Sequence, residues 1–212
     1  MAASGTNGPR GGENESVFQV RFHGRGGQGV VTAAELLSMA AFAEGRHSQA
    51  FPSFGSERMG APVVSFCRID DRPIRTREPV MAPDALIVQD VTLIQQVDLF
   101  AGLAPDGYVL VNTSRSFDEL GLGEFLGRFR RERLLTCPAT EIARRHLGRP
   151  WPNSSLLGGF AALTGQVSLE ALGTAIGERF AAATAEGNVA AAAAAFGLFG
   201  SEEERLTGAP SD

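Results

Sequence analysis

The chain has 212 residues, 43% of them hydrophobic, and a formal net charge of −5. That length predicts one globular domain with a normal core, and the acidic balance argues against nucleic acid as a partner. All nineteen basic residues are arginine. Chemistry that depends on a lysine, such as a Schiff base or a phosphate-loop lysine, is therefore excluded.

The cysteines, Cys67 and Cys137, form no C-x-x-C motif. We therefore expect no iron–sulfur cluster or structural zinc held by this chain alone, and two buried thiols in a reducing compartment. The N-terminal segment lacks the basic and apolar parts of a signal sequence, and no apolar run approaches the roughly 18 residues that span a bilayer. These features predict a cytoplasmic protein with no membrane contact.

Strand and helix patterns alternate between two tails, residues 1–15 and 200–212, which are predicted to be disordered or loosely attached. In chain order the patterns predict a strand at 18–22, a helix at 30–43, strands at about 46–50, at 63–69 and at 85–89, a helix at 93–101, a strand at 108–112, a helix at 117–128, a strand at 134–137, and helices at 140–147, 154–164, 168–180 and 186–199. This alternation predicts one domain over residues 16–199 with a three-layer α/β/α, Rossmann-like fold and a mostly parallel sheet.

Two of the predicted strands have the character of central strands. Residues 85–88 and 108–111 are continuously apolar, as strands covered on both faces are. Asp90 and Asn112 follow these strands, so we expect polar groups at the carboxyl edge of the sheet, where α/β folds bind ligands.

An antiparallel edge is also predicted. Asp70 and Asp71 lie between residues 64–69 and a second extended pattern at 72–76. Two acidic turn residues between extended segments are typical of a hairpin.

The most informative stretch is FHGRGGQG, residues 22–29, where an apolar strand enters a glycine turn that opens directly into a helix. This arrangement presents backbone N–H groups at a helix N-terminus, where a phosphate or another anion can bind. Gly24, Gly26 and Gly29 satisfy the spacing G-x-G-x-x-G, and Arg25 could hold a phosphate or carboxylate. A purely architectural turn would also explain the glycines, so both interpretations stay open.

Dinucleotide binding needs an acidic residue at the end of the second strand, where it holds the ribose hydroxyls. The second predicted strand ends in Phe51-Pro52, and Glu44 precedes that strand instead of following it. A free-standing NAD(P)-dependent dehydrogenase is therefore a disfavoured alternative. A regulatory module that binds a small ligand at the same turn is another.

The second unusual stretch is FPSFGSERMGAP, residues 51–62, which has no helical or strand period. Its Phe51, Phe54 and Met59 side chains need cover, either from an ordered loop on its own domain or from another subunit. Aromatic residues, Met and Arg are favoured at interfaces. We expect this loop to lie beside the glycine turn at the same edge of the sheet.

Taken together, these stretches resemble the gamma subunit, or gamma domain, of the pyruvate:ferredoxin and related 2-oxoacid:acceptor oxidoreductases. The resemblance covers roughly residues 17–199 and is carried, in the order of the family, by residues 23–29, 49–62, 83–90, and 152–154 with 157–159. The first two motifs are specific when they occur together.

This resemblance implies a complex that oxidatively decarboxylates a 2-oxoacid to an acyl-coenzyme A. Thiamine diphosphate, Mg²⁺, 4Fe–4S clusters and coenzyme A would serve the complex, with none bound by this chain alone. Alpha, beta and delta-type subunits are the implied partners, and ferredoxin or another acceptor takes the electrons. The chain would be structural, without catalytic or metal-binding residues, and would help to shape a coenzyme A or partner surface through Gly24, Arg25, Gly26, Gly27, Gln28, Gly29, Glu57 and Arg58.

Three local predictions concern single side chains. His23 abuts the turn after an apolar strand, so we expect a hydrogen-bonded structural residue, not a base. Asp90 could orient a ligand or cap the next helix through Thr92, and the cap is the favoured prediction. Asn153 and Ser154 are predicted to form the N-cap of the helix that follows them, and the resemblance allows them an added interface role.

Overall fold

The computed structural model describes residues 17–53 and 59–199. Its strands are β1 (Phe18–Arg25), β2 (His47–Pro52), β3 (Pro62–Asp70), β4 (Ala85–Val88), β5 (Tyr108–Asn112) and β6 (Leu134–Cys137). Its helices are α1 (Val30–Ala43), α2 (Gly123–Leu126), α3 (Ala139–Leu147), α4 (Asn153–Thr164), α5 (Leu169–Arg179) and α6 (Ala182–Leu198), with short 3₁₀ turns at Val91–Gln95 and Arg131–Arg133.

The strands form one sheet in the order β2-β3-β1-β4-β5-β6. β1, β4, β5 and β6 pair in parallel, while β3 is antiparallel to both of its neighbours. The helices flank this sheet, which confirms the predicted α/β fold with a mostly parallel sheet and an antiparallel edge. The edge hairpin is formed by β2 and β3.

The larger core lies between one face of the sheet and the long helices. Phe22 of β1, Ile87 of β4 and Phe160 of α4 are fully buried there. α4 also packs closely on α6, since a β-carbon on Gly158 would lie 2.1 Å from the carbonyl oxygen of Ala192. The opposite face is covered by a smaller apolar cluster that includes Leu86 and Leu126.

The predicted strand at residues 72–76 is wrong. The Asp70 carboxylate accepts a hydrogen bond from the backbone N–H of Arg72 at 3.0 Å, and the chain then continues irregularly. Arg68 of β3 holds this segment by donating to the carbonyl oxygens of Thr76 at 3.2 Å and Glu78 at 2.6 Å. A guanidinium group from the sheet therefore takes up backbone acceptors that a strand ladder would have used.

Two predicted helices are much shorter in the structure. In place of the helix at 93–101 there is a 3₁₀ turn over Val91–Gln95, followed by irregular turns in which the carbonyl oxygens of Leu99 and Ala101 accept from Arg21 at 2.8 and 2.7 Å. The helix at 117–128 is reduced to α2, because Gly121 takes a left-handed backbone angle of φ 71° just before it. The other predicted helices agree with the structure to within a few residues.

Candidate functional site at the glycine turn

The glycine turn connects β1 to α1 over a few residues whose backbone is left-handed at two points. Gly27 has φ 89° and Gly29 has φ 71°. The first helical hydrogen bond of α1 runs from the N–H of Ala33 to the carbonyl of Gly29 at 3.0 Å. The amides of Val30 and Val31 precede that bond, so they belong to the N-terminal donors that a helix does not satisfy itself.

The glycine turn lies beside the described end of the second unusual stretch, residues 59–62, as the sequence predicts. Gly26 donates to the carbonyl of Ala61 at 2.9 Å, and Gly60 donates back to the carbonyl of Gly26 at 3.0 Å. Arg25 adds a hydrogen bond to the carbonyl of Gly60 at 3.1 Å. Glu57, Arg58 and the other residues of 54–58 lie outside the described residues.

The guanidinium group of Arg25 is engaged by protein atoms. Its Nε donates to Oδ2 of Asp90 at 3.2 Å, and its Nη2 donates to Oγ1 of Thr92 at 2.6 Å and to Oε1 of Gln96 at 3.1 Å. The side chain is 21% exposed. An incoming anion at Arg25 would have to compete with Asp90 for these donors.

Gln28 closes the turn from the other side. Its Oε1 accepts from the backbone N–H of Arg25 at 2.8 Å, and its Nε2 donates to Oδ2 of Asp90 at 2.8 Å. The side chain thus bridges the start of the turn to the segment that follows β4.

Asp90 caps the 3₁₀ turn Val91–Gln95 by accepting from the N–H of Thr92 at 3.0 Å, which confirms the capping prediction. Its bonds to Arg25 and Gln28 were not predicted. Burial of the carboxyl group opposes its ionisation, but the hydrogen bonds from Thr92 and Gln28 and the charge of Arg25 outweigh burial. The pKa of Asp90 therefore lies below its ordinary value.

His23 lies on β1 just before the turn and is only 7% exposed. Burial, with a smaller contribution from the charge of Arg21, lowers the pKa of His23 to about 3. The imidazole is neutral at physiological pH, which fits a structural role. The expected hydrogen bond is not found at Nε2, which has no partner among the described residues.

The predicted N-cap of α4 is wrong. The helix begins at Asn153 itself, with Pro152 at the N-cap position and no side-chain cap. Asn153 instead accepts from Nε2 of Gln89 at 3.0 Å and packs on Gly29, while Ser154 donates to Asn188 of α6 at 2.8 Å. Both polar side chains are used for tertiary contacts, so they are not available for the backbone of their own helix.

Sequence reasoning also missed Gln89 as a site residue, although it follows a central strand. Its carbonyl oxygen accepts from Nδ2 of Asn112 at 2.8 Å, and Asn112 donates in turn to Thr140 at 2.8 Å. Polar contacts therefore run along the carboxyl edge of the sheet. The position after a buried parallel strand was the signal that could have identified Gln89.

Two clefts border the turn. One, of about 310 Å³, is lined by the turn, by the first residues of α1 and by Val63. The other, of about 150 Å³, lies between the turn and the N-terminal ends of α4 and α6. Thr32 lines both, while Met59, 88% exposed, and Trp151, 45% exposed, are apolar side chains beside the turn.

The carboxyl ends of β1 and β4 meet at the site where doubly wound folds place a ligand crevice. Here Arg25, Gln28 and Asp90 fill that position by bonding to one another. In the described ranges, 17–53 and 59–199, no three His, Cys, Asp or Glu side chains are grouped as a metal site would require. No helix within those ranges is both long and apolar enough to cross a membrane.

These features define a Rossmann-like α/β protein whose glycine turn is held by its own side chains. Residues 19–198 match the family described as pyruvate ferredoxin/flavodoxin oxidoreductase. A pyruvate/ketoisovalerate oxidoreductases common subunit gamma from Pyrococcus abyssi is 46% identical over 182 residues, covering 85% of this chain and 96% of that protein. A pyruvate synthase subunit PorC from Methanothermobacter marburgensis is 47% identical over 180 residues, with the same coverage of 85% and 96%.

The solved structures agree. The crystal structure of the pyruvate oxidoreductase subunit PORC from Thermotoga maritima is similar with a TM-score of 0.72 and 34% identity, covering 86% of this chain and 96% of that one. The chain belongs to the pyruvate ferredoxin/flavodoxin oxidoreductase family, and its relatives are gamma-type subunits, as the resemblance implied.

Proposed function

We propose that this chain is the gamma subunit of a complex that oxidatively decarboxylates a 2-oxoacid of the pyruvate type to an acyl-coenzyme A. The observation that carries the proposal is the family match over residues 19–198, which includes the glycine turn and nearly the whole described domain. Alpha, beta and delta-type subunits are the proposed partners, and ferredoxin or another acceptor receives the electrons. A cytoplasmic location is part of the same proposal.

The redox and thiamine cofactors are assigned to the partner subunits. Cys67 lies on β3 and Cys137 on β6, at strands separated in the sheet by β1, β4 and β5, so the two thiols cannot ligate one cluster. Burial raises the pKa of Cys67 above its ordinary value and that of Cys137 to about 12. Thiols of this kind are poor cluster ligands because the ligand is the thiolate.

The glycine turn is proposed to face the coenzyme A site or a partner subunit. Since Arg25 is engaged with Asp90, the donors best placed for an anionic group are the first amides of α1 together with the hydroxyl of Thr32. Met59 and Trp151 add exposed apolar surface beside the turn. Arg58, which directly precedes Met59 in the sequence, supplies a further candidate cation.

Reconstitution tests the function. The purified chain and the chain mixed with its co-expressed partner subunits are compared for 2-oxoacid-dependent reduction of a viologen dye, with and without coenzyme A. We expect turnover from the assembled complex alone. Turnover by the isolated chain would contradict the proposal, and saturable micromolar binding of NADH to the isolated chain would favour the dehydrogenase alternative.

Substitution in the assembled complex tests the surface. Arg58→Ala should raise the KM for coenzyme A, or weaken assembly, at least severalfold. Arg72→Ala is the matched control, because Arg72 is an exposed arginine on the segment after β3. Equal behaviour of the two variants would remove Arg58 from the proposed surface.

A further inference from the structure

The Asp90 carboxylate joins two separate segments of the chain. Oδ2 accepts from Nε of Arg25 at 3.2 Å and from Nε2 of Gln28 at 2.8 Å. Oδ1 accepts from both the N–H and the hydroxyl of Thr92, at 3.0 and 2.5 Å. One charged group thus holds two side chains of the glycine turn while it caps the 3₁₀ turn after β4.

These contacts restrain a segment that its own backbone restrains weakly. Four of the six residues from 24 to 29 are glycine, and glycine has access to far more backbone conformations than other residues. Gln28 closes the turn by accepting from the N–H of Arg25. The orientation of that amide is fixed in turn by its donation to Asp90.

The restraint extends beyond the turn. Arg25, aligned by Asp90, also donates to the carbonyl of Gly60 and to Gln96. Residues 59–61, the turn and the segment after β4 therefore share one hydrogen-bonded cluster. A charged, partly buried cluster of this kind is cooperative, so removal of its shared acceptor loosens every member.

We propose that Asp90 is a positioning residue of the complex: it holds residues 24–29 in the conformation that presents the first turn of α1 to the ligand or partner. The proposal rests on the function proposed above. Asp90 is not among the residues that line the two clefts at the turn. It acts through Arg25 and Gln28, so its loss should displace the glycine turn, which lines both clefts, without removing any side chain that lines them.

Hydrogen exchange in the full-length chain tests the positioning itself. Asp90→Asn keeps the size of the side chain but removes its charge and replaces one carboxylate oxygen with an NH2 donor, so the side chain can no longer accept from Arg25, Gln28 and Thr92 together. We expect at least tenfold faster exchange in peptides covering residues 24–33. The matched control is Glu119→Gln, because Glu119 is an exposed carboxylate on the neighbouring loop that accepts from the backbone N–H of Ser116 at 2.7 Å.

A second variant guards against a general loss of folding. Gln28→Met removes the bridge to Asp90 but leaves the cap on Thr92 intact, so it should also accelerate exchange at the turn while peptides from β4 and β5 stay protected. Wild-type exchange at residues 24–33 in both variants would overturn the proposal. Equally fast hydrogen exchange at residues 24–33 in the Glu119→Gln control would overturn the proposal as well, because the effect would not be specific to Asp90.

Kinetics of the reconstituted complex separate positioning from simple destabilisation. Asp90→Asn should raise the KM for coenzyme A or the dissociation constant for the partner subunits at least fivefold, with the KM for the 2-oxoacid unchanged. A lower kcat with every KM and the assembly unchanged would indicate only a smaller folded fraction and would overturn the positioning role. Faster exchange with wild-type kinetics and assembly would overturn the role proposed for the turn.

A wild-type complex with no 2-oxoacid turnover would overturn the proposed function, while the exchange result would still decide whether Asp90 holds the turn.

Discussion

A β-carbon on Gly29 would lie 2.5 Å from Nδ2 of Asn153, so the glycine turn meets the first residue of α4 so closely that an added side chain would displace that amide. Gly29 also has φ 71°, in the left-handed region that other residues avoid. The contact ties the loop after β1 to a helix more than a hundred positions later in the chain. Glycine at this position therefore suits the backbone conformation and also avoids a contact that would displace the Asn153 amide.

Gly29→Ala should lower the free energy of unfolding by roughly 2–4 kcal/mol, the sum of a left-handed alanine and a forced displacement of Asn153. Gly45→Ala is the matched control, since Gly45 has φ 78° but its β-carbon would meet nothing within 4 Å. The free energy of unfolding of that control variant should fall by only about 1 kcal/mol. Urea unfolding of the two variants measures the difference, and equal losses would show that Asn153 moves aside without cost.

The crossing of α4 and α6 gives a second comparison between glycines. A β-carbon on Gly158 would meet the Ala192 carbonyl oxygen at 2.1 Å, and backbone cannot move aside as a flexible side chain can. Gly158→Ala should therefore lower the free energy of unfolding by roughly 2–4 kcal/mol.

Gly173, inside α5, has open space around its β-carbon. Gly173→Ala should raise the free energy of unfolding by roughly 0.5–1 kcal/mol through helix propensity alone. Thermal and urea unfolding check both variants. A Gly158→Ala protein as stable as wild type would mean that the two helices separate freely.

The buried histidine predicts a specific acid sensitivity. The pKa of His23 is lowered to about 3 in the folded chain, so between pH 6.5 and 3 the unfolded state takes up a proton that the folded state does not. Stability must therefore fall as the pH falls through that window. Relative to pH 7, the loss from His23 at pH 4.5 is roughly 2–3 kcal/mol.

His23→Gln should remove that part of the pH dependence, which urea unfolding at pH 7 and pH 4.5 measures. The control is His47→Gln, the same change at an exposed histidine on β2. If wild type and His23→Gln lose equal stability between the two pH values, His23 is not the responsible group.

The sequence predicted those parts of the fold that depend on local pattern. The apolar runs at β4 and β5 and the strand–turn–helix around Gly26 are local signals, and the structure confirms them. Asp90 as a cap was also predictable, because its partner Thr92 lies two residues away.

Contacts between distant segments were not predictable from local pattern. The bond from Arg25 to Asp90 spans 65 positions, and nothing in either neighbourhood indicates it. The segment 93–101 has a helical local pattern but forms irregular turns after its first residues. The carbonyl oxygens of Leu99 and Ala101 accept there from Arg21, a residue almost eighty positions earlier that no local pattern indicates.

Arg21 is a buried arginine on β1, where the residue is only 7% exposed. It donates to the carbonyl oxygens of Leu99 and Ala101, and burial lowers the pKa of its guanidinium group. Arg21→Met fills a similar space but leaves those acceptors without a donor, so the free energy of unfolding should fall by roughly 2–4 kcal/mol.

Arg21→Lys separates charge from geometry. Lysine keeps the positive charge but cannot reach both carbonyl groups with a planar fork, so it should restore only part of the stability. Because the charge of Arg21 contributes to the low pKa of His23, the methionine variant should raise that pKa and the lysine variant should not. NMR titration of the His23 ring measures this shift. A His23 pKa that is equal in both variants would show that burial alone keeps the imidazole neutral.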